Sequence, residues 1–214
     1  MDIKCFVLEE SDKYRVSLRR FTFGGGCANT ARMGHAAIAV LHAEVSVSDL
    51  IGADDGVMTA GDLYPHSMPG WPTECSSCGH KFKDSEEWQY SPQKLYVRRG
   101  CDDPPQPLSD FPAGAMWRSP WLEDLEFPGG VQSPYVGLDG QSWTVRTPGG
   151  DWLIDGRANN CGSPTDTSHK CWCRHGEAPD FTVDKIGATC SAGAGSIVCG
   201  NYHGFLRNGF LTDC

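Results

Sequence analysis

The sequence predicts a mainly β fold, with an α+β arrangement as the alternative, built from short twisted antiparallel sheets and hairpins with long loops. Three observations carry this expectation. Runs rich in β-branched and aromatic residues recur along the chain, pairs such as Asn208-Gly209 punctuate them, and 26 Gly and 14 Pro among 214 residues interrupt any long helical stretch. With 39% hydrophobic residues and 10% aromatics, the chain still carries enough apolar surface to offset the entropy of ordering it. Its length suits one domain, or one domain with a small appended module. The expected division is a β-rich N-terminal segment over 1–70 and a cysteine-rich region over 71–214, continuous as one globular unit.

The first element reads as a hairpin, with "IKCFVLEE" and "YRVSLRRFTF" as strands and "SDK" as turn. In its second run Val16, Leu18 and Arg20 share one face, and Arg15, Ser17 and Arg19 the other. Gly24 to Gly26 suit a tight turn rather than a phosphate loop, because no Gly-Lys-Ser/Thr follows. From Ala31 to Val47 a helix over Ala31–His42 competes with a strand on which Ala39, Leu41, Ala43, Val45 and Val47 line one side; the strand is favoured for the later half. A proline-punctuated connection, "GDLYPHSMPGWPTE", leads into "ECSSCGHKF". The prolines of "CDDPPQPLSDFPAGAMW" argue against regular structure there. "QSWTVRTPGGDWLIDG" then predicts a hairpin turning at "TPGG", "RANNCGSPTDTSH" a loop, and "HGFLRNGFLTD" a second hairpin turning at Asn208-Gly209.

Charge narrows the function classes. A net charge of −9 argues against a nucleic-acid partner, since phosphate binding depends on basic residues that release counterions. No apolar run approaches the roughly 18 residues of a membrane span, and "MDIKCFVLEES" has no signal-peptide pattern. A cytoplasmic location is expected. In that reducing compartment eleven cysteines at short spacings suit metal ligation better than disulfides, and an odd count cannot pair completely.

The densest cysteine and histidine cluster is "HKCWCRHG" with "CGNYHGF" after it. Cys171 and Cys173 together with Cys199 and His203 make a Cys3His set suited to tetrahedral zinc, if the chain turns within each pair. Cys161, His169 and His175 also lie within reach of that cluster. Cys75 and Cys78 form a second candidate, a CxxC knuckle followed by glycine, which His80, Cys101 or Cys161 would have to complete. A nucleophilic centre is the competing chemistry. Cys190, Ser191 and Ser196 lie in the glycine-rich "TCSAGAGSI", with His203 as base and Asp184 or Asp213 to orient it. Small residues at a close backbone crossing explain that loop more simply. The metalloprotease HExxH and the deaminase HxE with PCxxC are both missing.

"HKCWCRHG", "TVDKIGATCSAGAGSI" and "YHGFLRNGFLTDC" resemble the C-terminal half of a family of proteins carried by actinobacterial phages and prophages. More remotely, Trp152 to Cys214 is similar to a group of small zinc-binding bacterial and phage proteins, many of them mislabelled ammonia monooxygenase and some encoded beside ubiquitin-like conjugation genes. In that group Cys171, Cys173 and His203 match presumed metal ligands, and Ser196-Ile197 matches a Ser-Ile strand. Cys199 departs, standing four residues before His203 instead of three, and "GAG" replaces a Ser-Pro.

The resemblance implies phage origin and zinc. The leading expectation is therefore a non-enzymatic, zinc-stabilised protein that binds a phage structural or host protein, in the host cytoplasm or the virion. Trp71, Trp117, Trp121 and Trp172 are candidate interface aromatics, with burial in the core as the plainer alternative. A zinc- or Ser/Cys-dependent hydrolase such as a peptidase is the rival; a thiol oxidoreductase is weaker, because the CxxC lacks a strand and helix context.

Overall fold

A computed structural model describes residues 2–20, 39–46, 73–75, 79–82, 88–123, 125, 135–154 and 157–214, with the backbone alone at 16–20, 39–46, 88–92 and 159–160. Among them the chain is mainly β, in two sheets of which neither closes into a barrel. It divides into two units, one of Met1–Glu9, Arg98–Asp103 and Asp110–Cys214, the other of Glu10–Val97 and Pro104–Ser109. The boundary expected at residues 70 and 71 lies outside the described residues.

The first unit holds the candidate site. Its C-terminal hairpin pairs β12 (Tyr202–Arg207) with β13 (Phe210–Asp213) through Asn208 and Gly209, whose φ values of 46° and 74° fit the left-handed turn that the Asn-Gly pair predicts. β13 also receives β1 (Asp2–Lys4), while β12 receives β10 (Thr182–Asp184) and β11 (Ile197–Cys199); β9 (Cys173–His175) continues from β10. The register places Ile3, Leu211, Leu206 and Val183 in one row across four strands. That row is the sheet's inner face. Leu206, Leu211 and Val183 are fully buried.

The other strands of this unit are β6 (Ala115–Arg118), β7 (Trp143–Thr147) and β8 (Gly150–Ile154), paired antiparallel in that order. The first residues of β2 (Phe6–Arg20) run parallel to β6, with Val7 opposite Met116. "TPGG" makes the expected hairpin: Thr147 pairs with Gly150, and the Thr147 hydroxyl donates to the Gly150 carbonyl at 2.8 Å and accepts from Gly149 N–H at 3.2 Å. Val7, Met116, Trp143, Val145 and Ile154 meet Phe181, Val183, Ile197, Tyr202, Leu206 and Leu211 in a single core. Full burial of each large side chain stabilises by about 1.5–3 kcal/mol, so this cluster dominates the unit's stability. Trp143 meets Phe181 edge to face at 5.5 Å between centroids.

In the second unit β2 pairs antiparallel with β3 (Ala39–Ser46), from Lys13 opposite Ser46 to Arg20 opposite Ala39, so the later half of the ambiguous alanine-rich stretch is a strand. β4 (Trp88–Arg98) pairs there with β5 (Gln106–Pro107), and Leu95 and Tyr96 are buried.

Two expectations are corrected. "SDK" is no turn, because β2 runs continuously from Phe6 to Arg20. The Ser11 hydroxyl accepts from Lys13 N–H at 3.1 Å and donates to the Leu95 carbonyl at 2.9 Å, so its turn chemistry is spent inside an extended strand. The proline-rich stretch is also more regular than expected: it carries β5, a 3-10 turn at Leu108–Asp110, and β6, which starts where the prolines stop. Among the four tryptophans proposed for an interface, Trp117 and Trp172 are buried, Trp121 is 58% exposed, and Trp71 lies outside the described residues.

Candidate metal centre

Three segments of the first unit are laced together beside its core. A single helical turn, α1 (Arg157–Asn160), is tied at Ala158, whose N–H donates to the Trp172 carbonyl and whose carbonyl accepts from both the N–H and the hydroxyl of Thr189. Cys171 and Gly193 form a parallel bridge, with Cys171 N–H on the Ala192 carbonyl at 3.2 Å and Ala194 N–H on the Cys171 carbonyl at 2.7 Å. A side chain at Gly193 would press on Ala188 and Lys185 at 3.1 and 3.3 Å. The glycines and alanines of "TCSAGAGSI" thus include a close backbone crossing, the simpler of the two sequence expectations for that loop.

This lacing brings four donors together. Cys161 follows α1, His169 ends the loop that Cys161 begins, Cys171 sits on the bridge, and Cys190 starts the small-residue turn; their ligand atoms all lie within 4.8 Å of one another. His169 Nε2 stands 3.2 Å from Cys161 Sγ, 3.1 Å from Cys171 Sγ and 3.4 Å from Cys190 Sγ. Metal–sulfur bonds of about 2.3 Å and metal–nitrogen bonds of about 2.0–2.1 Å at tetrahedral angles separate such donors by roughly 3.6–3.8 Å. Small side-chain adjustments would seat an ion. Backbone amides already approach two of the sulfurs, Ser163 N–H at Cys161 and Ala192 N–H at Cys190, both at 3.4 Å. Behind the imidazole, Asp166 Oδ2 lies 3.8 Å from His169 Nδ1, the place where a carboxylate orients a metal-binding histidine.

The electrostatics suit a cation. Burial, reinforced by the neighbouring thiols of Cys161 and Cys190, raises the Cys171 thiol well above the usual range. Burial also acts against ionisation of Cys161, but the Ser163 amide, the thiols of Cys190 and Cys171 and the Arg157 charge outweigh it, and that thiol is lowered. Three thiolates cannot share this space without a positive charge among them. Cys171 and Cys190 are buried, whereas Cys161 and His169 are half-buried. Cys161, Cys171 and Cys190 are free thiols.

The quartet shares only Cys171 with the set that spacing suggested. Cys173 is fully buried beside it but is not among the four clustered donors. Cys199 and His203 are separated by register. Cys199 pairs with Tyr202 and Val198 with His203, neighbouring rungs of one hairpin whose side chains leave opposite faces. Cys199 Sγ reaches the Asp151 carbonyl at 3.5 Å, and His203 Nε2 lies 3.3 Å from Ser196 Oγ. Cys75 is buried, with its N–H on the His80 carbonyl and its carbonyl accepting from Gly79 N–H; Cys78 lies outside the described residues. The sequence places Cys161 and His169 within reach of the cluster but offers Cys190 only as a candidate nucleophile, in a loop better explained by a close backbone crossing. A usable signal was the small residue two positions after Cys161 and Cys190, whose amide can turn back to the sulfur.

The chain matches no protein-family model, no curated protein and no solved structure. Among the described residues no helix is long and apolar enough to cross a membrane.

Proposed function

We propose that the quartet binds one zinc ion and that the protein is a phage-encoded, non-enzymatic binding protein whose loops this zinc holds in place. The observation that carries the reading is the convergence of Cys161, His169, Cys171 and Cys190 within 4.8 Å. Three thiolates and one imidazole form a soft to borderline tetrahedral set that favours zinc over calcium or magnesium. All four positions are filled by protein, which leaves no place for a reactive water and favours a structural ion. Binding to a phage structural or host protein, in the host cytoplasm or the virion, accords with the acidic charge and with apolar side chains left in solvent at Trp121, Leu138, Ile186 and Val198.

Elemental analysis of the purified chain tests the metal: zinc that Cys171→Ser or Cys190→Ser removes supports the quartet, and zinc that survives both variants sinks it. Co-purification from infected cells tests the binding role, which a solitary monomer in the lysate would contradict.

A hydrolase is the second reading, favoured by the Ser196 Oγ to His203 Nε2 distance of 3.3 Å. That pair has a nucleophile and a base within reach of each other, and His203 is not among the four clustered donors. Ser196→Ala should then abolish peptide or ester hydrolysis with the metal content unchanged; absence of hydrolysis by the unaltered chain across both substrate classes would remove this reading.

A further inference from the structure

We infer that the quartet is a peroxide-sensitive latch, in which oxidation of Cys161 and its disulfide bonding to Cys171 or Cys190 expels the metal and frees the loop from Gly162 to Ser168. The inference rests on the metal reading above and adds its regulation.

The four ligands are unequal in two ways. The first is access. Cys171 and Cys190 are buried at 0% and 6% exposure, whereas Cys161 is half-buried and begins a loop whose residues Gly162 to Ser168 are all exposed. Apart from its chain neighbours, nothing lies within 4 Å of where a side chain on Gly162 would start, so the loop that follows Cys161 faces open space. The second is anchorage. Cys171 is bonded through both its N–H and its carbonyl to the 192–194 turn, and Thr189, next to Cys190, is bonded twice to Ala158. The loop carrying Cys161 and His169 is instead joined to the 189–194 segment by one backbone bond, Ser191 N–H to the Pro164 carbonyl at 2.8 Å, while Asp166 N–H to Ser163 and Ser168 N–H to Asp166 stay within the loop. The more accessible ligand therefore opens the weakly held loop, while Ala158, three residues before it, belongs to the frame that carries its partners.

The chemistry balances with hydrogen peroxide as oxidant. The Cys161 sulfur attacks the peroxide O–O bond, giving a sulfenic acid and water. The thiol of Cys171 or Cys190, its sulfur already within 4.8 Å, displaces hydroxide from that sulfenic sulfur, giving a disulfide and a second water. Starting from the metal-bound thiolates, the two sulfurs lose two electrons, solvent supplies two protons, peroxide becomes two waters, and the metal cation leaves to solvent. Two of four ligands are gone, and one sulfur with one imidazole cannot retain the ion. A dithiol reductant with added zinc should reset the latch.

The test uses the full chain carrying Cys101→Ser and Cys214→Ser, which removes two exposed thiols distant in sequence from the quartet. Metal content is measured first; the chain is then titrated with hydrogen peroxide while a chromogenic chelator reports released zinc and non-reducing peptide mapping locates the disulfide. The expected result is one zinc released as two thiols disappear, with a disulfide that includes Cys161, and recovery of bound zinc after reduction. Because the disulfide is located by peptide mapping, no ligand variant is needed and the outcome does not depend on whether such a variant folds. A chain that holds no zinc even after zinc addition removes the metal reading and the latch together. Zinc that is present but retained under peroxide, or a disulfide joining Cys171 to Cys190, overturns the latch alone.

Discussion

Two neighbouring clusters of the first unit are held by different forces. The large core joins Phe181, Trp143, Met116, Leu206 and Leu211 with other bulky side chains and is bordered by regular strand pairs. The cluster at the candidate metal centre contains Ala158, Cys171, Cys173, Cys190 and Ala192, with no buried side chain larger than cysteine. Apolar burial scales with area, so the second cluster gains far less from leaving water, while its irregular segments lose as much backbone entropy per residue as any strand. The difference teaches that loops 157–196 need another source of order. On the proposed reading, an ion held by the four converging donors is that source.

The comparison breaks most directly on metal removal, the largest expected effect. Structural zinc sites of this kind contribute on the order of 10 kcal/mol to the order of the segments that bind them. Chelation should therefore raise hydrogen exchange at the amides of Cys171, Thr189 and Ala194, whose bonds lace the site, while amides of β12 and β13 keep their protection. Phe181→Ala should do the reverse in kind, lowering the stability of the whole unit by about 3–5 kcal/mol with the metal still bound before unfolding. Equal loss of protection in both regions after chelation would mean that the core depends on the ion as well.

How much of this the sequence displays follows the same division. The hairpins at 143–154 and 202–213 are legible because their turns use residues with few alternatives: Asn208-Gly209 accepts positive φ, and "TPGG" closes a two-residue loop. "SDK" uses residues with many alternatives, and tertiary bonding to Leu95 decided against the turn. The metal set is harder to read, since ligands brought together by loop crossings obey no period. Cys171 and Cys173 look paired in sequence yet only Cys171 joins the clustered donors, and Cys199 and His203 look paired yet leave opposite faces. Cys161 and Cys190 lie far apart in sequence and meet where Thr189 bonds Ala158 and Ser191 bonds Pro164.

An intermediate effect sharpens the core side of the comparison. Burial pushes the Cys5 thiol up from 9.0 to about 12, with the Leu211 backbone opposing and Asp180 adding to the rise. Burial, with Asp213 and Cys214, pushes Tyr202 up from 10.0 to about 12. Both groups hold their protons more tightly folded than unfolded, so their contribution is complete below pH 9 and is lost as pH rises towards 12. For Cys5 the loss reaches about 4 kcal/mol at the alkaline end. Urea midpoints measured with saturating zinc should fall over that window, and Cys5→Ala should flatten the fall. An unchanged slope in that variant would place the alkaline sensitivity at Tyr202 or the metal thiols instead.

The smallest effect probes the carboxylate behind His169. Asp166 Oδ1 accepts from Ser168 N–H at 2.8 Å, and this bond, ahead of its other contacts, holds the exposed carboxyl below its usual range; Oδ2 faces His169 Nδ1 at 3.8 Å. Asp166→Asn preserves an oxygen for the turn and removes the charge, so it separates loop shape from imidazole orientation. Loss of an orienting carboxylate costs about 10–100-fold in metal affinity, and the long contact here places the expected loss near the lower figure. Competition with a calibrated chelator reads the change, and exchange protection in β12 and β13 should stay as it was. If affinity is unaltered, Asp166 only shapes the loop, and His169 is positioned by the three sulfurs it faces.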